Sequence, residues 1–160
     1  MRKVESLSEC TVVATQPWLK ERVKRSPLGQ NVLREIPLGV DAAYWQSGNK
    51  EEARKKMGLP IAARIVLVDS QAARAVELLR KQGWLVLALD QEQTQAHSFR
   101  SAELGAEGMR TLYQAVDLYL SFNSNQGVMD VLEAVACGLP IAVPQSSQWQ
   151  YDWLANEESG

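Results

Sequence analysis

The sequence predicts an α/β fold: a parallel β-sheet with helices on both faces. Three observations carry this. The runs RIVLV (64–68), WLVLAL (84–89) and LYLSF (118–122) are apolar almost throughout, the mark of strands buried on both faces rather than one. Segments with helical spacing of apolar residues lie between them, so strands and helices alternate. Gly58, Gly83 and Gly138 each follow such a segment, where a helix stop favours glycine.

The elements follow in order. Thr11–Thr15 (TVVAT) reads as a short strand, and Pro17–Lys24 as a helix with Pro17 in its first turn and Thr15 near its cap. Ser26-Pro27-Leu28-Gly29 is a turn, and Leu33–Pro37 a second strand. The loop 38–48 leads to Asn49, a side chain suited to capping the helix Lys50–Met57. Strand Arg64–Val68, helix Gln71–Gln82 and strand Trp84–Leu89 come next. The stretch 91–108 is polar and carries no clear period, although His97–Phe99 has the residues of a degraded strand. Met109–Ala115 is helical, Leu118–Phe122 a strand, Met129–Cys137 a helix and Ile141–Val143 a strand. The tail from Gln148 has weak helical character. There is no internal repeat and no low-complexity segment.

Composition sets outer limits. A chain of 160 residues with 46% apolar and 22% charged residues is ordinary for a globular protein with a real core. No apolar run is long enough to span a bilayer, and the N-terminus has no signal-like apolar core, so the expectation is a cytoplasmic protein. Cys10 and Cys137 fit no metal spacing and are expected to be reduced, buried thiols. The net charge of −2 conceals an asymmetry: 15 Lys and Arg against 9 acids up to Lys81, then 2 Arg against 10 acids. An anionic ligand must therefore draw its cations from the first half. The basic residues are scattered without interleaved aromatics, which excludes a nucleic-acid module.

Parallel sheets bind ligands at the carboxyl ends of their strands, where loops meet helix N-termini. Those loops begin at Asp69, Asp90, Asn123 and Pro144. Two strands ending in aspartate invite a phospho-acceptor reading like that of a response-regulator receiver. That chemistry needs a cation for the phosphoryl group, usually a lysine, and none follows Lys81. Two polar residues leaving a strand explain Asp69 and Asp90 better. His97, the only histidine, has no catalytic pattern around it. Trp149 and Trp153 share a helical face, suited to covering an apolar edge. Asp130 and Glu133 sit three apart on one side of the last helix. An acid in the first turn favours the helix dipole, which accounts for Asp130. Glu133 stands among Val131, Leu132, Ala134, Val135 and Ala136, so that helix reads as buried on most sides. A buried carboxylate needs hydrogen bonds, a partner or a cleft. Ligand hydroxyls and loop amides would serve equally.

Six segments in one order, TVVATQPWLKERV, IPLGVD, EEARKKMGLP, RIVLV, LYQAVDLYLSF and VLEAVACGLPIAV, resemble the retaining glycosyltransferases of family 4. The match runs from about residue 3 to 158, and VLEAVACGLPIAV is its most specific piece. The resemblance implies a GT-B architecture of two Rossmann-like domains across a cleft. Residues 1–36 would then be the last strand and helix of the acceptor domain plus linker. Residues 37–160 would be an incomplete Rossmann-like nucleotide-sugar-binding domain, short of about one helix between RIVLV and DLYLSF.

The same resemblance implies the site. Glu133 matches the second glutamate of the family's pair, which holds the nucleotide ribose hydroxyls. The first glutamate falls on Asn125, the catalytic position, where an amide carries no charge to stabilise an oxocarbenium-like centre. Gly127 and Val128 fall where backbone amides approach the donor phosphate. The family's glycine and arginine fall on Asp69 and Ser70, and its lysine on Ala75 or, with a one-residue slip, Arg74. Each lost charge-assisted contact costs roughly 1.5–3 kcal/mol, so two cost on the order of a hundred- to thousand-fold. The resemblance implies binding of a nucleotide sugar or nucleotide diphosphate, no metal or other cofactor, and a second chain or absent domain for the acceptor site. Two readings share this fold: a hexosyltransferase donor half inactive on its own, and a degenerate non-catalytic binding or assembly module.

Overall fold

The structure, a computed structural model, describes residues 10–69, 73–90, 98–122 and 128–143. The chain divides into two compact units, parted between Gly39 and Val40.

The first unit holds β1 (Val12–Ala14), α1 (Pro17–Lys24), a 3-10 turn at Pro27–Gln30 and β2 (Leu33–Glu35). β1 and β2 pair in parallel, with Val12 opposite Leu33. Pro17 starts α1 as its fixed φ favours, and the N-cap is Gln16, next to Thr15. Gln16 makes no capping bond; its side-chain oxygen accepts from the Trp18 indole instead. Ser26 caps the 3-10 turn by accepting from the Leu28 N–H at 3.2 Å. Lys20 on α1 ties to Glu35 on β2 at 2.9 Å, while Val13, Val32 and Ile36 stay exposed. Cys10 is exposed too, against the expectation of a buried thiol, because it precedes β1 outside any packed layer.

The second unit contains α2 (Lys50–Lys56), β3 (Arg64–Val68), α3 (Ala73–Lys81), β4 (Trp84–Leu89) and β5 (Ser98–Phe99). It continues with α4 (Ser101–Ala115), β6 (Leu118–Leu120), α5 (Val128–Ala136) and β7 (Ile141–Ala142). Its five strands are all parallel, in the order β5-β4-β3-β6-β7. Strand alternation sorts the core into two layers. Val66, Val68 and Val86 turn to one face, where Val76 and Leu79 of α3 cover them. Ile65, Leu67 and Tyr119 turn to the other and are fully buried, and there Tyr113 of α4 packs its ring 5.9 Å from that of Tyr119.

Asn49 caps α2 as its position suggests, accepting from the Glu52 N–H at 3.1 Å. α4 begins eight residues earlier than the apolar spacing implies. Its start is fixed from afar: Asp90 accepts from both the N–H and the hydroxyl of Ser101, at 2.8 and 2.6 Å. Gly105, at φ 60, kinks the helix and interrupts the period. Eight residues, 90–97, separate β4 from β5 in the chain. α5 is buried along one stripe only, at Val131 and Ala134, and Val135 is exposed, so it is not enclosed on most sides. Gly138, at φ 74, ends the helical segment and Leu139-Pro140 enters β7. His97, Trp149, Trp153 and the tail lie outside the described residues.

The amino ends of the central strands are clamped by charge. Arg54 of α2, 5% exposed, donates to the carbonyls of Ala115, at 2.8 Å, and Ile61, and to the Asp117 carboxylate at 2.8 Å. Asp117 also takes the Lys50 ammonium and the Ile65 N–H, each at 2.8 Å. Burial pulls the Asp117 carboxyl upward, but Lys50, the Ile65 amide and Arg54 together hold it below its ordinary value.

Candidate functional site

The chain moves outward from β3 through β4 to β5, then returns to lay β6 on the other side of β3. Helices after β3 and β6 therefore diverge at that pair. In an open parallel sheet this switch point is where a crevice forms at the carboxyl ends.

A carboxylate occupies it. Asp69, the residue after β3, accepts from the Tyr119 hydroxyl at 3.2 Å, the Ser121 hydroxyl, and the Phe122 N–H at 2.8 Å. Its own N–H reaches the Leu120 carbonyl at 3.4 Å. Asp69 thus stitches β3 to β6, a role beyond that of a polar residue leaving a strand. Asp90, the only described non-glycine at positive φ (54), ends β4 and holds Ser101. Both aspartates are committed to structural hydrogen bonds.

The acids of α5 are not. Asp130 and Glu133 are half-buried, and neither side chain makes a hydrogen bond or ion pair with a described residue. Burial, then the charge of Asp130, pushes the Glu133 carboxyl up to about 7. Burial also raises Asp130, reinforced by Asp69 and Asp90. The strand ends therefore carry a negative field. The Tyr113 hydroxyl is fully buried with no hydrogen-bond partner. Burial raises its pKa most, followed by the charges of Asp130, Glu133, Cys137 and Asp69 in that order.

A pH prediction follows. Glu133 holds its proton more tightly folded than its ordinary value of 4.5, up to about 7. Below that ordinary value both folded and unfolded chains are protonated there. As pH rises through about 7 the folded chain must carry the charge, so stability falls across this window. Screening at a half-exposed group limits the loss to on the order of 1–2 kcal/mol. Glu133→Gln should flatten most of this slope, measured as urea midpoints on either side of the window; Asp130 adds a residual slope of the same sign.

The residues singled out from sequence fare unequally. Glu133 and Val128 lie on α5 and Arg74 in the first turn of α3, so the topology brings the two helix starts to one edge of the sheet. Arg74 is exposed, and no described residue pairs with it. Ser70, Asn125 and Gly127 lie outside the described residues. A cavity of about 140 Å³, lined by Ser47, Gly48, Lys50, Cys137, Gly138 and Pro140 among others, sits at the far end of α5 and contains none of these candidates. Burial pushes the Cys137 thiol up to about 11, so it rests there as an unreactive thiol. Sequence reasoning missed the Asp69 bridge and the Tyr113 hydroxyl. The only trace of either is a tyrosine within an otherwise apolar helical face. Among the described residues no group of His, Cys, Asp and Glu could hold a metal ion, and no helix is long and apolar enough to cross a membrane.

The five-stranded parallel sheet, its helices and its switch point resemble part of a GT-B glycosyltransferase. Among solved structures, the chain is similar to sucrose-phosphate synthase from Thermosynechococcus elongatus, with a TM-score of 0.65 and 17% sequence identity. The match covers 88% of this chain and 42% of that one, so this chain spans less than half of that protein's length. No family model matches the sequence, and no curated protein does.

Proposed function

We propose that the chain is a glycosyltransferase-like protein, the nucleotide-sugar-binding half of a retaining hexosyltransferase. Any turnover depends on a second domain or chain that supplies the acceptor site. One observation carries this reading: Glu133 is a half-buried carboxyl, without a partner among the described residues, on the helix that follows β6, in the segment resembling the family's motif. Such a group gains two hydrogen bonds from a vicinal diol and loses little solvation on binding it. Arg74, exposed at the start of α3, would be the cation nearest in the chain to a phosphate.

Asp69 favours a second reading. A carboxylate held by three donors at the switch point adds negative charge where a leaving diphosphate would need cations. On that reading the domain binds or assembles without catalysing. The test is calorimetric titration of the full chain with adenosine, guanosine and uridine diphosphates and their hexose conjugates. Binding weakened at least about tenfold by Glu133→Ala supports the donor reading. No binding of any of them at millimolar concentration overturns it.

A further inference from the structure

The cavity at the far end of α5 lies outside the donor reading and shares no residue with it. Part of its lining is buried and largely apolar: Tyr113, Val116, Cys137 and Leu139. The exposed part is polar, with Ser47 and Lys50. The walls are fixed from several sides. Asp117 holds the Lys50 ammonium at 2.8 Å, and Gln114 donates to the Gln46 carbonyl at 2.7 Å, which straps the segment before α2 onto α4. Gly48 lets that strap lie so close, since an added Cβ would stand 2.6 Å from the Gln114 side chain. At about 140 Å³ the cavity is close to the roughly 150 Å³ that admits a benzene ring. Tyr113 gives a second sign. It is 1% exposed, and its hydroxyl has no hydrogen-bond partner among the described residues, which costs the fold stability.

We propose that this cavity binds a small uncharged molecule: a single ring against the buried lining, carrying one hydrogen-bond acceptor that meets Lys50 and Ser47. The volume sets the ring. The exposed lining sets the acceptor. Lys50 has three N–H donors and spends one on Asp117, and the Ser47 hydroxyl makes no hydrogen bond with a described residue. The charge balance sets the neutrality. Lys50 and Arg54, which share Asp117, bring two positive charges against its one negative. Helices α4 and α5 both end at the cavity, and each C-terminus carries about half a negative charge. These contributions nearly cancel, so a full charge of either sign on the ligand gains little there and loses its hydration.

Cys137 reports occupancy. The chain has two cysteines, and Cys10→Ser leaves Cys137 alone. Its modification by methyl methanethiosulfonate at mildly alkaline pH is timed on the full chain, with benzamide, benzoate or benzylammonium present. Ligands of this size bind in the millimolar range, so each is used at tens of millimolar. Benzamide should slow the modification at least about threefold, and the two charged probes should slow it less. Lys50→Met keeps the apolar stem and removes the donors, so it should weaken benzamide about three- to fivefold. Unchanged protection in that variant overturns the proposal, because packing alone would then hold the ring. Protection by benzoate or benzylammonium equal to that by benzamide overturns it as well. No protection by any of the three overturns it and marks a cavity that holds only water. None of these outcomes bears on nucleotide binding, so the donor reading stands or falls separately.

Discussion

Arg54→Ala should lower the stability of the α/β unit by about 2–4 kcal/mol, seen as a fall in the urea midpoint at neutral pH. The side chain is buried, and its guanidinium meets three acceptors in different parts of the chain: the Ala115 and Ile61 carbonyls and the Asp117 carboxylate. Truncation leaves the Ala115 carbonyl unmet in a buried site and the Ile61 carbonyl in a part-buried one. Asp117 would keep Lys50 and the Ile65 amide, which limits the damage. Arg54→Lys keeps the charge but cannot span the three acceptors, so it should recover less than half of the loss. A loss in Arg54→Ala below about 1 kcal/mol would show that water replaces the guanidinium at this clamp.

Asp69→Ala should cost about 3 kcal/mol for a related reason at the opposite end of the sheet. The Tyr119 and Ser121 hydroxyls lie inside the core, and both depend on the Asp69 carboxylate. Without it, two buried donors and the Phe122 N–H lose their acceptor. Removing the hydroxyls as well, in the triple variant with Tyr119→Phe and Ser121→Ala, should restore most of the loss, because replacing donors and acceptor together leaves little unmet. Urea unfolding of the single and triple variants measures this. If the triple variant is no more stable than the single one, the network does not hold β3 to β6.

The strands of the larger sheet were legible because their physics is local. RIVLV and WLVLAL are buried on both faces and carry that fact in every residue, and both match the observed bounds of β3 and β4. Asn49 and Gly83 were legible for the same reason, since a cap or a left-handed stop depends on one residue and its neighbours. The start of α4 was not, because Asp90 supplies its capping bonds from eleven residues away and Gly105 breaks the period. The depth of α5 was misjudged because an apolar run marks a helix without saying how many of its sides find a partner. The site divides in the same way. Glu133 stands out against apolar neighbours, but the commitments of Asp69 are to residues about fifty positions away. The Tyr113 hydroxyl is visible only as an absence of partners, which no sequence records.

The stitching of β3 to β6 also sets an order of events during folding. β3 can pair with β4 as soon as residue 89 is available, through a connection of ordinary length. Its other edge must wait for β6, and so must Asp69, whose donors all lie between residues 119 and 122. The Arg54 clamp waits for Ala115 and Asp117 as well. A nascent chain that stops short of residue 117 therefore carries at most the strands β5-β4-β3, open along β3, with an acid at the end of β3 and, on the preceding helix, a guanidinium that lacks its carboxylate. Loop closure over such separations is slow relative to local pairing. Both charged fasteners of the central strand close late, and nearly together.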